Sequence, residues 1–349
     1  MNPIDNPVLD SRRRLLCAAL AGLPLVGLPG AALAQAASPL KISHQFPGST
    51  GSGGDFRDRL CRRFAAKVEK RSGGALKFNV YPGSSLMKTN AQFSALRRGA
   101  LDLSLFPISY AGGEVAELNI ALMPGLVTSY EQGRAWHQGP LGKALDDLLL
   151  DKGAVPISWV WEAGSIASKT RPVTVPADVR GMKIRGGSRE VDLMLKAAGA
   201  AVVTLPSNEL YAAMQTGAVD SAITSSTSLL SFRLEEVSKH LTTGRSKSFW
   251  FMAVPLLMAR SVFDKLSAEQ RALILAVGAE IEQYGLDAVK ADDANLAAVY
   301  QKAGAKTYDL DAAAVEQWRA VARASAWKDY AAKSANCARL LRMAEQVPA

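Results

Sequence analysis

The sequence has 349 residues, of which 48% are hydrophobic and 21% are charged, a balance that excludes a disordered or fibrous chain. That length is too great for one small domain and accommodates two lobes of ordinary size. The net charge is +9, but Lys and Arg alternate with Asp and Glu along the predicted helices instead of clustering with aromatic residues, so no nucleic-acid partner is expected.

The first 34 residues have the pattern of an export signal. Three arginines, Arg12 to Arg14, precede an apolar run that ends at the small-x-small site Ala32-Leu33-Ala34. The paired arginines are similar to a twin-arginine signal, although Leu15 stands where that pattern prefers an aromatic residue, so the general secretory route stays open. We therefore predict a periplasmic protein whose fold begins near residue 35.

The segment after the signal is predicted to form a strand, a loop, a helix and a second strand. Hydrophobic residues alternate from Leu40 to Phe46 and again from Leu76 to Val80, and they recur at every fourth position from Phe56 to Val68. The loop Gly48–Gly54 is rich in glycine. However, Phe56 replaces the last glycine of the dinucleotide fingerprint, and no Lys-Ser/Thr follows as in a P-loop. We interpret this loop as a turn at the edge of a cleft.

A helix–glycine–strand unit occurs twice in the chain. The matched positions, at identical spacing, are Phe93, Leu96, Gly99, Ala100 and Asp102 in the first copy and Tyr211, Met214, Gly217, Ala218 and Asp220 in the second. The repetition predicts two similar α/β lobes. Gly99 and Gly217 each follow a predicted helix, where a residue with positive φ is required and glycine adopts it without steric cost.

The last third of the sequence is predicted to be helical. Ser267 and Gln270 form a capping box, and no proline interrupts the pattern before Gly304. A helix of that length exceeds one small lobe and could brace both, and Gly278 and Gly285 are the positions where it could kink. Residues 306–310 then form a short strand, and helices close the chain.

The sequence contains few residues with the chemistry of a catalytic or metal site. His44, His137 and His240 have no metal-ligand or nucleophile spacing, and no hydrolase or zinc-protease motif is present. Cys61 and Cys337 lie far apart, and the sequence leaves open whether they form a disulfide or stay as buried thiols. We therefore expect no cofactor, no metal and no enzymatic activity.

One arginine has a position suited to a ligand. Met182 and Ile184 face a core, so that Lys183 and Arg185 face the other side, and two glycines end the strand after Arg185. Open α/β sheets bind ligands at the carboxyl ends of their strands, and a guanidinium can donate two parallel hydrogen bonds to a carboxylate. From spacing alone, a solvated surface residue remains the favoured interpretation.

Two longer motifs carry a family resemblance. The first is Val175-Pro176-Ala177-Asp178-Val179-Arg180-Gly181-Met182-Lys183-Ile184-Arg185, and the second is Pro206-x-x-Glu209-x-Tyr211-x-Ala213-Met214-Gln215-Thr216-Gly217-Ala218-Val219-Asp220. Together with Arg71-Ser72-Gly73-Gly74, Met123-Pro124 and Phe263-Asp264-Lys265-Leu266-Ser267, they resemble the DctP-type substrate-binding proteins of TRAP transporters. The resemblance extends over nearly the whole chain after the signal.

The resemblance implies a two-lobed α/β periplasmic binding protein with hinge strands and a long helix that braces both lobes. Lobe 1 would comprise residues 35–162 and about 251–290, and lobe 2 would comprise 163–250 and about 291–349. It also implies a monomeric receptor that binds a small organic anion and delivers it to the membrane subunits of a TRAP permease. The alternatives are a ligand-sensing receptor for a signalling partner and, less favoured, an enzyme on the same fold.

The resemblance also assigns a ligand site. Arg185 matches the family arginine that binds the ligand carboxylate, but Ile166 stands where many members have a second arginine, and Ser221–Ser226 departs from the family's Gly-Gln-Glu-Asn pattern. We therefore expect a monocarboxylate with an apolar or aromatic body. The predicted ligand-binding residues are His44, Trp161, Glu162, Arg185, Tyr211, Thr224, Ser225, Phe249 and Trp250.

Overall fold

The structure is a computed structural model that describes residues 38–348 except Ser52 and Ser246. The predicted export signal lies outside the described residues. Among the helices of the described part, none is long and apolar enough to cross a membrane.

The described residues form alternating strands and helices. The strands are β1 Leu40–Ser43, β2 Phe78–Tyr81, β3 Leu103–Leu105, β4 Ala154–Ser158, β5 Trp161–Ser168, β6 Lys183–Arg185, β7 Ala201–Val202, β8 Ser221–Ser225, β9 His240–Thr243, β10 Phe251–Ala253, β11 Leu256–Ala259 and β12 Lys306–Asp309. The helices are α1 Phe56–Arg71, α2 Gln92–Arg97, α3 Tyr130–Gln138, α4 Pro140–Asp151, α5 Arg189–Ala197, α6 Leu210–Gln215, α7 Ser226–Ser231, α8 Arg260–Phe263, α9 Ala268–Lys302, α10 Ala312–Ala322, α11 Lys328–Lys333 and α12 Ala335–Glu345.

Two sheets define the two lobes and confirm the predicted fold class. The first sheet has the order β2-β1-β3-β11-β4, with β1 parallel to β2 and β3, and β11 antiparallel to β3 and β4. The second has the order β12-β9-β5-β8-β6-β7, and β10 pairs with β5. The central strands β3 and β11 are buried along their whole length, as expected for strands covered on both faces.

The chain passes between the sheets at two short connections. Trp159 and Val160 join β4 to β5, and residues 254–255 join β10 to β11. The C-terminal helices contact both sides: the Trp318 indole donates to Thr174 O, and the Trp327 indole donates to Pro124 O, each at 2.9 Å. The exact lobe boundaries given above stay a prediction.

The repeated unit has the same structure in both lobes. Gly99 and Gly217 have φ values of +69° and +77°, which confirms the predicted left-handed conformation. The carboxylate of Asp102 accepts a hydrogen bond from the Lys41 backbone N–H at 2.8 Å, and that of Asp220 accepts one from the Lys183 N–H at 3.0 Å. Each aspartate thus anchors its loop to a neighbouring strand.

The long helix α9 contains 35 residues, about 52 Å at 1.5 Å per residue, and begins with the predicted capping box. It runs uninterrupted through both glycines, whose role is close packing. A Cβ on Gly278 would lie 2.0 Å from the Ile157 carbonyl oxygen, and one on Gly285 would lie 2.8 Å from Val160. The glycines therefore let the helix contact the first connection directly.

The cysteines Cys61 and Cys337 are both buried and free. Burial raises the pKa of the Cys61 thiol, which keeps it protonated and unreactive. In this structure, therefore, Cys61 and Cys337 do not form a disulfide.

Candidate ligand-binding site

Arg185 ends β6 and is almost fully buried, with 1% of its surface exposed. Its guanidinium donates from Nε to Leu205 O and from Nη1 to Ile223 O, each at 3.0 Å, and from Nη2 to the Tyr110 hydroxyl at 2.7 Å. A guanidinium has five N–H groups, so two remain, one on each terminal nitrogen. Among the described residues, no carboxylate forms an ion pair with it. Burial raises the pKa of Asp192 and the positive charge of Arg185 opposes that shift, so this carboxylate is a longer-range neighbour, while two N–H groups of Arg185 remain able to donate.

Local glycines make room for this side chain. Gly187 has a φ of +97°, and a Cβ there would lie 2.7 Å from Arg185 Nη1. The Trp250 indole donates to Gly186 O at 2.9 Å and packs on Gly164, where a Cβ would lie 2.3 Å from the ring. The predicted residue Trp250 therefore lies beside the strand end that carries Arg185.

Four residues form a hydrogen-bonded chain between the lobes. Gln45, which follows β1, donates to the Ser207 hydroxyl at 3.2 Å, and the Ser207 N–H donates to the Tyr110 hydroxyl at 3.2 Å. Tyr110, which follows β3, in turn accepts from Arg185. Gln45 Oε1 and Ser109 Oγ are buried without a hydrogen-bond partner among the described residues. The interface next to Arg185 is therefore polar and is hydrogen-bonded across the two lobes.

A second buried arginine, which sequence reasoning missed, lies at the start of α1. Arg57 is 1% exposed and binds both oxygens of Asp55 at 2.6–2.9 Å. Its Nη1 contacts Glu162 Oε2 at 3.1 Å and the hydroxyls of Ser228 and Ser225 at 3.0 and 3.4 Å. Burial raises the pKa of Glu162, although Arg57 opposes the shift. Two predicted ligand residues, Glu162 and Ser225, thus interact with this arginine.

His44 belongs to a neighbouring polar cluster. Its Nε2 lies 3.1 Å from Asp58 Oδ1, and the other oxygen of Asp58 accepts from the Ser49 backbone N–H at 2.8 Å. Although burial opposes it, hydrogen bonds from His44, Arg62 and Ser49 hold the pKa of Asp58 well below its usual range. This carboxylate ties the glycine-rich loop to α1, and Asp55 caps the helix. The loop is therefore held by the protein's own carboxylates.

The remaining predicted residues have contacts of their own. Thr224 is buried on β8 opposite Ser165 of β5. Phe249 stacks on Trp318 with ring centres 4.7 Å apart, Trp161 meets Trp136 edge-on at 5.2 Å, and the Tyr211 hydroxyl donates to Glu236 at 2.9 Å. None of these last three contacts involves Arg185.

Comparison with known proteins decides the family. A family model described as bacterial extracellular solute-binding protein, family 7 (DctP), matches residues 56–334. The chain belongs to this family. Its members are solute-binding receptors of the periplasm, which confirms the expectation of a receptor instead of an enzyme.

Several relatives match most of the length of this family 7 protein. A solute-binding protein of Albidiferax ferrireducens is 60% identical over 96% of this chain and 99% of its own. The C4-dicarboxylate-binding periplasmic protein DctP of Rhodobacter capsulatus is 27% identical over 81% of this chain and 83% of its own. A crystal structure of a TRAP periplasmic solute binding protein from Rhodoferax ferrireducens, with bound malonate, is 63% identical, covers 88% of this chain and 98% of its own, and has a TM-score of 0.87.

Proposed function

We propose that this receptor binds a small organic acid between its lobes, with the ligand carboxylate on Arg185, and delivers it to the membrane subunits of a TRAP permease. The observation that carries the proposal is the buried guanidinium with two free N–H groups and no carboxylate partner among the described residues. Asp192 interacts with Arg185 only beyond ion-pair distance, and a bound carboxylate would pair with the guanidinium directly through two parallel hydrogen bonds.

Ligand entry requires movement of the lobes. Arg185 is 1% exposed, and its contact with Tyr110 comes from the other lobe, so the described conformation is closed over this residue. In our proposal the lobes separate about the two short connections, the acid docks on Arg185, and closure buries it. The free energy gained by pairing the charge favours the closed form.

We further propose that the ligand has one carboxylate held by an arginine and an uncharged remainder. Ile166, at the position where many family members have a second arginine, lies on β5 directly opposite Ile223, whose carbonyl binds Arg185. The Trp250 indole and the Thr224 hydroxyl would contact the remainder. The relative with bound malonate makes a dicarboxylate the decisive comparison compound.

The test is calorimetric titration of the exported form of the protein with organic acids. Malonate is compared with its half-amide, malonamate, and with 3-hydroxypropionate, because these have similar size and one carboxylate fewer. Equal or tighter binding of the monocarboxylates supports the finer proposal. Binding of malonate alone would refute it and leave the organic-acid receptor in place.

Substitution of Arg185 tests the site itself. Arg185→Ala should weaken binding of any acid by about 2–5 kcal/mol, as for other buried charge pairs. Lys183→Ala is the matched control, because Lys183 lies two residues away on the same strand with an exposed side chain. Unchanged affinity in Arg185→Ala would refute the assignment, as would an equal loss in both variants.

A further inference from the structure

A cavity lies where the first connection between the lobes meets α3 and α9. Its volume is about 120 Å³, about four times the ~30 Å³ of one water molecule in the liquid. The lining residues are Tyr130, Arg134, His137, Gln138, Trp159, Trp161 and Glu282, with four others. That space suits a compound the size of a small amino acid.

The inner wall is aromatic and carries the carboxylate of Glu282, whose pKa is raised by burial and lowered by the charge of Arg134. Glu282 Oε1 accepts from the Trp159 backbone N–H at 2.8 Å, and Asp146, behind the wall, accepts from the Trp159 indole at 3.2 Å. Burial raises the pKa of Glu282 to about 7 and that of Asp146 to about 6. His137 lies 3.8 Å from Glu282, but burial lowers its pKa to about 4, so it is neutral at pH 7.

The same cavity offers a donor for an anion. The Trp161 ring lines the cavity with 7% of its surface exposed, but its Nε1 is buried and does not face the open space. Arg134 lines the cavity from α3 with an exposed side chain, and it forms no ion pair in the described part of the chain. A ligand carboxylate would pair with Arg134, and a ligand cation would pair with Glu282.

We infer that this cavity is a second ligand site, specific for a small zwitterion with an ammonium and a carboxylate group. The ammonium group would lie against the indole faces of Trp159 and Trp161 and pair with Glu282, because aromatic faces attract cations. The carboxylate would accept from Arg134. The inference does not depend on the organic-acid site.

The experiment is a titration of the protein with glycine betaine and β-alanine, with choline and acetate as compounds that carry only one of the two charges. We expect saturable binding of a zwitterion, and weaker binding of choline and acetate. The affinity should be the same in the wild type and in Arg185→Ala. Loss of zwitterion binding in Arg185→Ala would place the compound in the cleft and overturn this inference. It would support Arg185 as the carboxylate site but contradict the uncharged remainder proposed above.

Variants of the cavity complete the test. Glu282→Gln and Arg134→Gln should each lower the zwitterion affinity about tenfold, the loss of one charge-assisted contact. Arg342→Gln is the control, since this arginine is exposed on α12 outside the cavity. The exposed position of Arg134 keeps the test valid if Glu282→Gln does not fold.

Proton release gives a readout that a structural defect would not produce. An ammonium group beside Glu282 favours the ionised carboxylate, so binding near pH 7 should release a proton from Glu282. Binding heats measured in phosphate and in Tris should therefore differ for the wild type and agree for Glu282→Gln. Absence of zwitterion binding, equal binding of choline and betaine, or binding unaffected by both cavity variants would each overturn the inference.

Discussion

Replacement of Arg57 by Met should strongly destabilise the protein. The guanidinium is 1% exposed and is the hydrogen-bonding partner of two buried carboxylates, Asp55 and Glu162. Methionine fills a similar space but leaves both carboxylates unpaired, and removal of one partner from a buried ion pair costs about 3–5 kcal/mol. The free energy of unfolding is measured by urea titration at pH 8. Arg63→Met, on the exposed face of the same helix, should lose less than about 1 kcal/mol, since only a cation–π contact with Tyr284 is removed.

The pH dependence separates charge from packing. Burial already raises the pKa of Glu162, and without Arg57 the pKa rises further. Because the pKa of Glu162 is raised in the folded state, the protein loses stability as the pH increases through that pKa and the carboxyl group ionises. The deficit of Arg57→Met should therefore shrink between pH 8 and pH 5, and Glu162→Gln should recover part of it in the double variant. A loss below 1 kcal/mol at pH 8, or a deficit independent of both pH and Glu162, would refute this account of the network.

Two further predictions concern the first connection between the lobes. Glu282→Gln should stabilise the protein at pH 8 by about 1–2 kcal/mol, a value reduced because the side chain is 31% exposed, and should change the stability little at pH 5. The reason is that the raised pKa of Glu282, about 7, makes the wild type less stable as the pH rises through that value. Equal stability of variant and wild type at pH 8 in thermal unfolding would contradict this. Gly278→Ala should cost about 1–3 kcal/mol from the clash with the Ile157 carbonyl, whereas Gly113→Ala, which meets nothing within 4 Å, should be nearly neutral by the same assay.

Much of the fold could be predicted from the sequence because the signals are local. Ser267 and Gln270 form a capping box that depends on only four residues, and α9 begins where they predict. The matched glycines, Gly99 and Gly217, identified the repeated unit because a positive φ restricts the choice of residue. The predicted strand ends were less accurate. The alternation of hydrophobic residues continues to Phe46, but β1 ends at Ser43, because the pairing partners and not the pattern determine where a strand ends.

The site was only partly predictable, since burial of a charged residue is a property of tertiary structure. The strand pattern put Arg185 at a strand end, but its spacing alone favoured a solvated surface. Arg57 follows Asp55 at the start of a helix, where an exposed arginine is the usual outcome, and its burial depends on Glu162 more than 100 residues away. Nothing in the local sequence separates Phe249, which stacks on Trp318, from Trp250, which packs beside Arg185.

The chain of Gln45, Ser207, Tyr110 and Arg185 alternates between the lobes, so its three hydrogen bonds all cross the interface. A small opening of the lobes would stretch all three hydrogen bonds at once. Each bond is directional and weakens steeply as its geometry departs from the preferred one. Intermediate openings would therefore retain little of this energy, which favours two distinct shapes over a continuous range of openings. A membrane partner that recognises one of these shapes would obtain an all-or-none signal of occupancy instead of a graded one.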